Sequence, residues 1–272
     1  MTKDSSSHKE AIGVFDSGIG GLTVANAIHR HMPNEDIIYF GDTAHLPYGD
    51  KSADSIKFYA LGIAKFLLDK KCKAIVIACN SASSAAYNVL LDFFKDKAVF
   101  VNVVDPLVKA VAQKNYEHVG VIATKATTAS RVYPDRFQFI NPELDVHALA
   151  TPLLAPMIEE GFANGKVSDA VIESYLSNPD FEKIEALLLA CTHYPLIKEN
   201  IHNYFKGNVD VYDSTDVVAL SLQEKLRKQD LLNDATAPGS RQFFVSEFTQ
   251  SFEDTTRIFW DGEVDLEPCN IW

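Results

Sequence analysis

No apolar run in this chain reaches the roughly 18 residues that a membrane-spanning helix needs. Segments such as AIVIAC stop far sooner, so no membrane segment is expected. The opening MTKDSSSHKE lacks the apolar core of a secretion signal and predicts a disordered tail over residues 1–10. Basic residues are outnumbered, with 25 Lys and Arg against 37 Asp and Glu, and they form no dense run. A net charge of -12 and a pI near 5.1 repel phosphate backbones, which argues against nucleic acid as a partner. Cysteine is sparse as well. The four cysteines at 72, 79, 191 and 269 form no C-x-x-C pair and lack the density of a disulfide scaffold. Together these absences predict a cytoplasmic protein with free thiols. Disorder is excluded by the 47% apolar and 23% charged residues, and 272 residues allow about two domains with ample core.

What is present is a rhythm. Short runs rich in Val, Ile and Phe at 12–15, 37–40, 74–78, 99–104, 119–123, 187–190 and 209–212 alternate with stretches of helical period at 22–31, 55–69, 83–95, 153–162, 196–205 and 216–228. That alternation predicts βαβ units and mainly parallel sheets. Two landmarks recur in order. IGV at Gly13 has a counterpart VGV at Gly120, and IVIAC ending at Cys79 has a counterpart LLLAC ending at Cys191. The repeat predicts an α/β fold of two similar doubly wound domains, related by pseudo-symmetry, with the active site between them. The late segments RQFFVSEFT and RIFW either add strands or pack against the first domain.

Chemistry concentrates at the two repeated cysteines. Each ends a buried strand, where open α/β sheets bind ligands, and polar residues follow: Asn80, Ser81 and Ser83 after Cys79, Thr192 and His193 after Cys191. A helix starting just beyond Cys79 offers N–H groups and a positive dipole end that favour a thiolate. His193, two residues from Cys191, is able to orient a proton or hold a thiolate by charge. An isolated cysteine is more often a buried apolar filler. Two at matching strand ends with polar neighbours point to an acid and a base, whereas Cys72 and Cys269 lack such surroundings. FDSGIGG, from Phe15 to Gly21, places glycines where backbone N–H groups are able to meet an anion. It is neither a P-loop nor a dinucleotide fingerprint. Asp16 there is a helix cap or a site carboxylate, and GDTAHLPYG offers Tyr48 and Gly49 on a loop or a plain turn.

DSGIGG, GDTAHLPYG, VIACNSAS, TKATT and LLACTHYPLI together resemble the glutamate racemase family, part of the aspartate/glutamate racemase superfamily, from Ile12 to about Ser214. The resemblance implies a cofactor-independent isomerase that interconverts L- and D-glutamate, without metal or pyridoxal phosphate, and supplies D-glutamate for peptidoglycan synthesis, cell wall biogenesis and cell shape. It implies that Cys79 takes the α-proton from D-glutamate and Cys191 from L-glutamate, with Asp16, His193 and Glu159 assisting. It places substrate contacts on Asp16, Ser17, Tyr48, Gly49, Asn80, Ser81, Thr192 and His193. It further implies a homodimer, a first domain of residues 11–100 plus 209–272, and a second of 101–208. Three positions depart from the family pattern: Ser81 for threonine, and Ala190 and Ala123 for glycines, each expected to bear on substrate fit and rate. Other readings stay open: an aspartate racemase, a binding protein without turnover, and a zinc site of Cys79, Cys191 and His193.

Overall fold

The computed structural model describes residues 7–272. Of the expected tail, residues 1–6 lie outside the described residues. Ser7–Lys9 are ordered as a 3-10 turn, because the His8 carbonyl accepts a hydrogen bond from the buried Lys73 Nζ. The chain then alternates β1 (Ile12–Asp16), α1 (Leu22–His31), β2 (Ile37–Gly41), α2 (Ala53–Asp69), β3 (Ala74–Ile77), α3 (Asn80–Phe94) and β4 (Val99–Asn102). A connecting helix α4 (Val104–Ala112) leads to β5 (His118–Ala123), α5 (Lys125–Ala129), α6 (Val132–Ile140), β6 (Asp145–Ala150), α7 (Leu154–Glu159), α8 (Lys166–Leu176), β7 (Ala186–Ala190), α9 (Lys198–Tyr204) and β8 (Asp210–Asp213). The chain closes with α10 (Thr215–Lys228), β9 (Arg241–Val245), α11 (Gln250–Thr256) and β10 (Leu266–Pro268). None of these helices is long and apolar enough to cross a membrane.

Two parallel sheets result, ordered β10-β9-β2-β1-β3-β4 and β6-β5-β7-β8. The order β2-β1-β3-β4 of the first recurs in the second, so the repeated glycines and cysteines occupy matching strands. Continuous apolar runs such as Ile75–Ile77 and Leu187–Leu189 suit strands covered on both faces, and all of these residues are buried. Each such side chain contributes about 1.5–3 kcal/mol on burial. One apolar cluster joins Val14 and Val76 of the first sheet to Ile122 and Leu189 of the second through α1 and α10. The sheets are thereby held in one arrangement.

One expectation needs correction. The crossover back to the first sheet does not begin at 209, because β8 pairs with β7 and extends the second sheet as far as Asp213. RQFFV adds a strand, β9, beside β2, whereas RIFW packs against the elements of the first sheet: Phe259 and Trp260 are buried in a turn, with Trp260 against Phe243 of β9 and His29 of α1.

Candidate active site

Strand register sets the site. Phe15 lies level with Ile77, so the residues just beyond, Ser17 and Cys79, come out side by side at the end of the first sheet. In the second sheet Ala123 lies level with Ala190, which sets Thr124 beside Cys191. Both pairs open on one cleft of about 300 Å³ at the carboxyl ends of the strands. That is the low end of the range for small-molecule pockets, about 300–1,000 Å³. Of the residues expected in the site, Ser17, Tyr48, Gly49, Cys79, Asn80, Ser81, Glu159, Cys191, Thr192 and His193 line it.

Cys79 is the N-cap of α3: its sulfur accepts from Ala82 N–H at 3.5 Å, and its thiol donates to Ser17 Oγ at 3.7 Å. The helix begins at Asn80, directly after the sulfur, and not near 83. Even so, the thiol is not activated in the way the sequence suggests. Burial, reinforced by the negative charge of Asp16, outweighs the Ala82 N–H and Ser17 and pushes Cys79 up to about 12. The thiol form prevails at neutral pH.

Cys191 stands in a different setting. Its sulfur is 3.7 Å from His193 Nδ1, and His193 Nε2 is 2.7 Å from Glu159 Oε1. Burial opposes a charge on His193, but hydrogen bonds to Cys191 and Glu159, with the negative charges of both, overcome it and lift the imidazole to about 10. His193 is therefore a cation at neutral pH, held edge-on against Phe259 at 5.1 Å. The close seat of His193 explains Gly20. A Cβ there would lie 2.4 Å from His193 Cε1 and 2.7 Å from Thr192 Oγ1. The glycine serves approach of the two halves, which a hydrogen bond from Thr23 Oγ1 to the Thr192 carbonyl also ties. It was expected to free backbone N–H groups for an anion, yet the neighbouring Gly21 N–H is taken by Asp16 Oδ2 at 2.9 Å.

Asp16 is set deeper than these residues. It is 1% exposed and outside the cleft lining, and its buried Oδ1 has no hydrogen-bond partner among the described residues. Burial raises its pKa against the opposing His193 charge and the backbone N–H groups of Gly21, Ser17 and Gly18. Its charge acts on both Cys79 and His193. Asn80 is better placed: Oδ1 accepts from Tyr133 Oη at 2.7 Å, while the buried Nδ2 has no partner among the described residues. Such a donor is rare in a folded interior and is suited to a ligand carboxylate. Ser81 Oγ meets Thr124 Oγ1 at 2.9 Å, linking the halves through hydroxyls. Tyr48 Oη donates to Asp42, which also takes hydrogen bonds from Ser246 and His45.

Ala123 and Ala190, expected to crowd the site, do not line it. Their methyl groups sit in the core of the second sheet with Val121 and Leu188. The zinc alternative also fails on geometry. Among the described residues Cys79, Cys191 and His193 do not bring their ligand atoms within 4.8 Å of one another. Thr124 was missed, although its place just after β5 matches that of Ser17 just after β1. Leu46, Pro47, Pro152 and Pro156, which also line the cleft, carry no signal beyond ordinary turns.

A family model described as Asp/Glu/Hydantoin racemase matches residues 22–222. A curated relative, the glutamate racemase of Geobacter metallireducens, is 38% identical over 256 residues, covering 94% of each chain. The structure superimposes with a TM-score of 0.91 on the glutamate racemase of Francisella tularensis in complex with D-glutamate, at 38% identity over 97% of this chain and 98% of that one. The Thermus thermophilus glutamate racemase, in complex with β-chloro-D-alanine, gives a TM-score of 0.86 at 36% identity, covering 96% and 97%. With its repeated strand order, paired cysteines and likeness along nearly its whole length, this chain belongs to the glutamate racemase family.

Proposed function

We propose that this chain racemises glutamate by a two-base mechanism in which Cys79 and Cys191 exchange protons with opposite faces of the α-carbon. The observation that carries it is that the two cysteines, at matching strand ends, line one cleft and have separate hydrogen-bond partners. Removing a proton beside a carboxylate piles negative charge on negative charge, so donors must be aimed at the carboxylates. Asn80 Nδ2, Ser81, Thr124 and Thr192 supply them.

The two thiols have different charged neighbours. Cys79, near 12, keeps its proton until a cation arrives. The substrate's own α-ammonium, bound near Asp16, brings one and favours the thiolate only when substrate is present. On the other side the cation is built in, as His193 beside Cys191, anchored by Glu159. By family likeness Cys79 takes the proton from D-glutamate and Cys191 from L-glutamate. Asp16, His193 and Glu159 act through the cysteines.

We propose further that each sheet with its helices forms a domain, and that the protein works as a cytoplasmic homodimer supplying D-glutamate for peptidoglycan, and hence for cell shape. Light scattering tests the dimer. For the activity, purified protein should bring either enantiomer of glutamate to the same racemic mixture, followed by circular dichroism, and Cys79→Ser should abolish the change. A folded protein that leaves both enantiomers untouched sinks the substrate assignment.

A further inference from the structure

A second cluster of ligand-type side chains lies at the opposite end of the second sheet. In the β5–β6 pair His118 is level with Asp145, and Gly120 with His147. Residues two apart on a strand share a face, so Asp145 and His147 project together, with His118 beside them. His118 Nδ1 lies 3.2 Å and His147 Nε2 2.9 Å from the same oxygen, Asp145 Oδ2. Among the described residues this is the one group of three or more His, Cys, Asp or Glu whose ligand atoms all fall within 4.8 Å of one another. The side chains are 36%, 53% and 33% exposed for His118, Asp145 and His147, so an ion has a path in without unfolding. Glu185, whose carboxylate accepts from the His118 backbone N–H, adds negative charge alongside.

We propose that His118, Asp145 and His147 form a zinc-binding site, with water completing a four-coordinate shell. Two imidazole nitrogens and one carboxylate suit a borderline-soft divalent ion, whereas calcium and magnesium favour oxygen alone. Zinc–nitrogen bonds of about 2.0–2.1 Å in a tetrahedron set ligand atoms about 3.3 Å apart. The two separations from Asp145 Oδ2, 3.2 and 2.9 Å, are already close to that, and the two imidazole nitrogens lie within 4.8 Å of each other. On binding, His118 Nδ1 and His147 Nε2 give up any proton they hold to solvent and turn lone pairs to the ion. The ion would clamp the edge strand β6 to β5. It would do so at the amino ends of the strands, away from Cys79 and Cys191 at the carboxyl ends, so its effect falls on stability and not on proton transfer. Nothing in this site depends on the racemase mechanism.

Calorimetric titration of the full chain with zinc chloride, alongside thermal unfolding, tests the site. The expected result is one zinc per chain and a raised unfolding midpoint. His147→Ala should weaken binding roughly tenfold or more and erase the shift in midpoint. Asp145→Asn should do the same, providing a second variant should the first fold poorly. Racemase activity should be unchanged in both. Absence of zinc binding, or binding that both variants leave intact, overturns the proposal.

Discussion

Replacing Glu159 by Gln tests how Cys191 is held. The change keeps size and shape, but removes the negative charge 2.7 Å from His193 Nε2. A hydrogen bond to a charged group is worth about 1.5–3 kcal/mol. Because the Glu159 side chain is 41% exposed, solvent screening argues for the lower part, about 1.5–2 kcal/mol. That corresponds to a fall in kcat/KM of roughly 10- to 30-fold. L- and D-glutamate have equal free energies, so kcat/KM must fall by the same factor in both directions. The pH profile gives the independent readout. In the parent protein the His193 cation is lost near pH 10, and that alkaline limb should move toward neutrality in the variant. Because the folded state raises this pKa, the cation also stabilises the fold fully below the ordinary imidazole range, and the gain disappears as pH rises through about 10. In Glu159→Gln the alkaline loss of stability should therefore begin earlier. Steady-state assays from pH 6 to 10.5, with imidazole NMR, decide the matter. Unchanged kcat/KM with an unmoved alkaline limb would refute the role given to Glu159.

Two further changes probe the packing around the cleft. Gly20→Ala would set a methyl group 2.4 Å from His193 Cε1, so it should cost about 1–3 kcal/mol in denaturant unfolding and displace the imidazole, with a large loss of kcat. Wild-type stability and rate would show that the contact is easily relieved. Trp272 stacks on Phe58 at 6.0 Å and packs edge-on against Tyr59 and His45, and His45 bonds Asp42, the acceptor of Tyr48. Trp272→Ala should loosen that loop and raise KM severalfold with kcat nearly unchanged; an unaltered KM would remove any link from the aromatic cluster to the site.

The strands were legible because buried parallel strands must be apolar along their length, as IVI and LLL are. The repeat was legible for the same reason, and it led to the cysteines. Several elements were hidden. β6 is an edge strand, DVHALA, exposed or half-buried throughout, so it lacks a continuous apolar run. α3 begins at Asn80 because Cys79 caps it, whereas the polar NSAS sequence reads as loop. The site's electrostatics were harder still. A helix start argues for a lowered thiol pKa, yet burial and the proximity of Asp16 reverse the sign for Cys79, and burial is a property of the assembled halves. The function of Gly20 likewise emerges only when His193, distant in sequence, comes against it.

The two-base claim meets its most direct test in heavy water. Each thiol carries a single hydrogen, so the one that donates has already exchanged with solvent, while the one that abstracts holds the substrate's own hydrogen. At early conversion from L-glutamate, chirally resolved mass spectrometry should find deuterium at the α-carbon of nearly all the D-glutamate formed and almost none in the remaining L-glutamate, with the mirror result from D-glutamate. Protium carried into the product, or deuterium entering the recovered starting enantiomer as fast as product appears, would mean that one group serves both faces and would contradict the paired roles of Cys79 and Cys191.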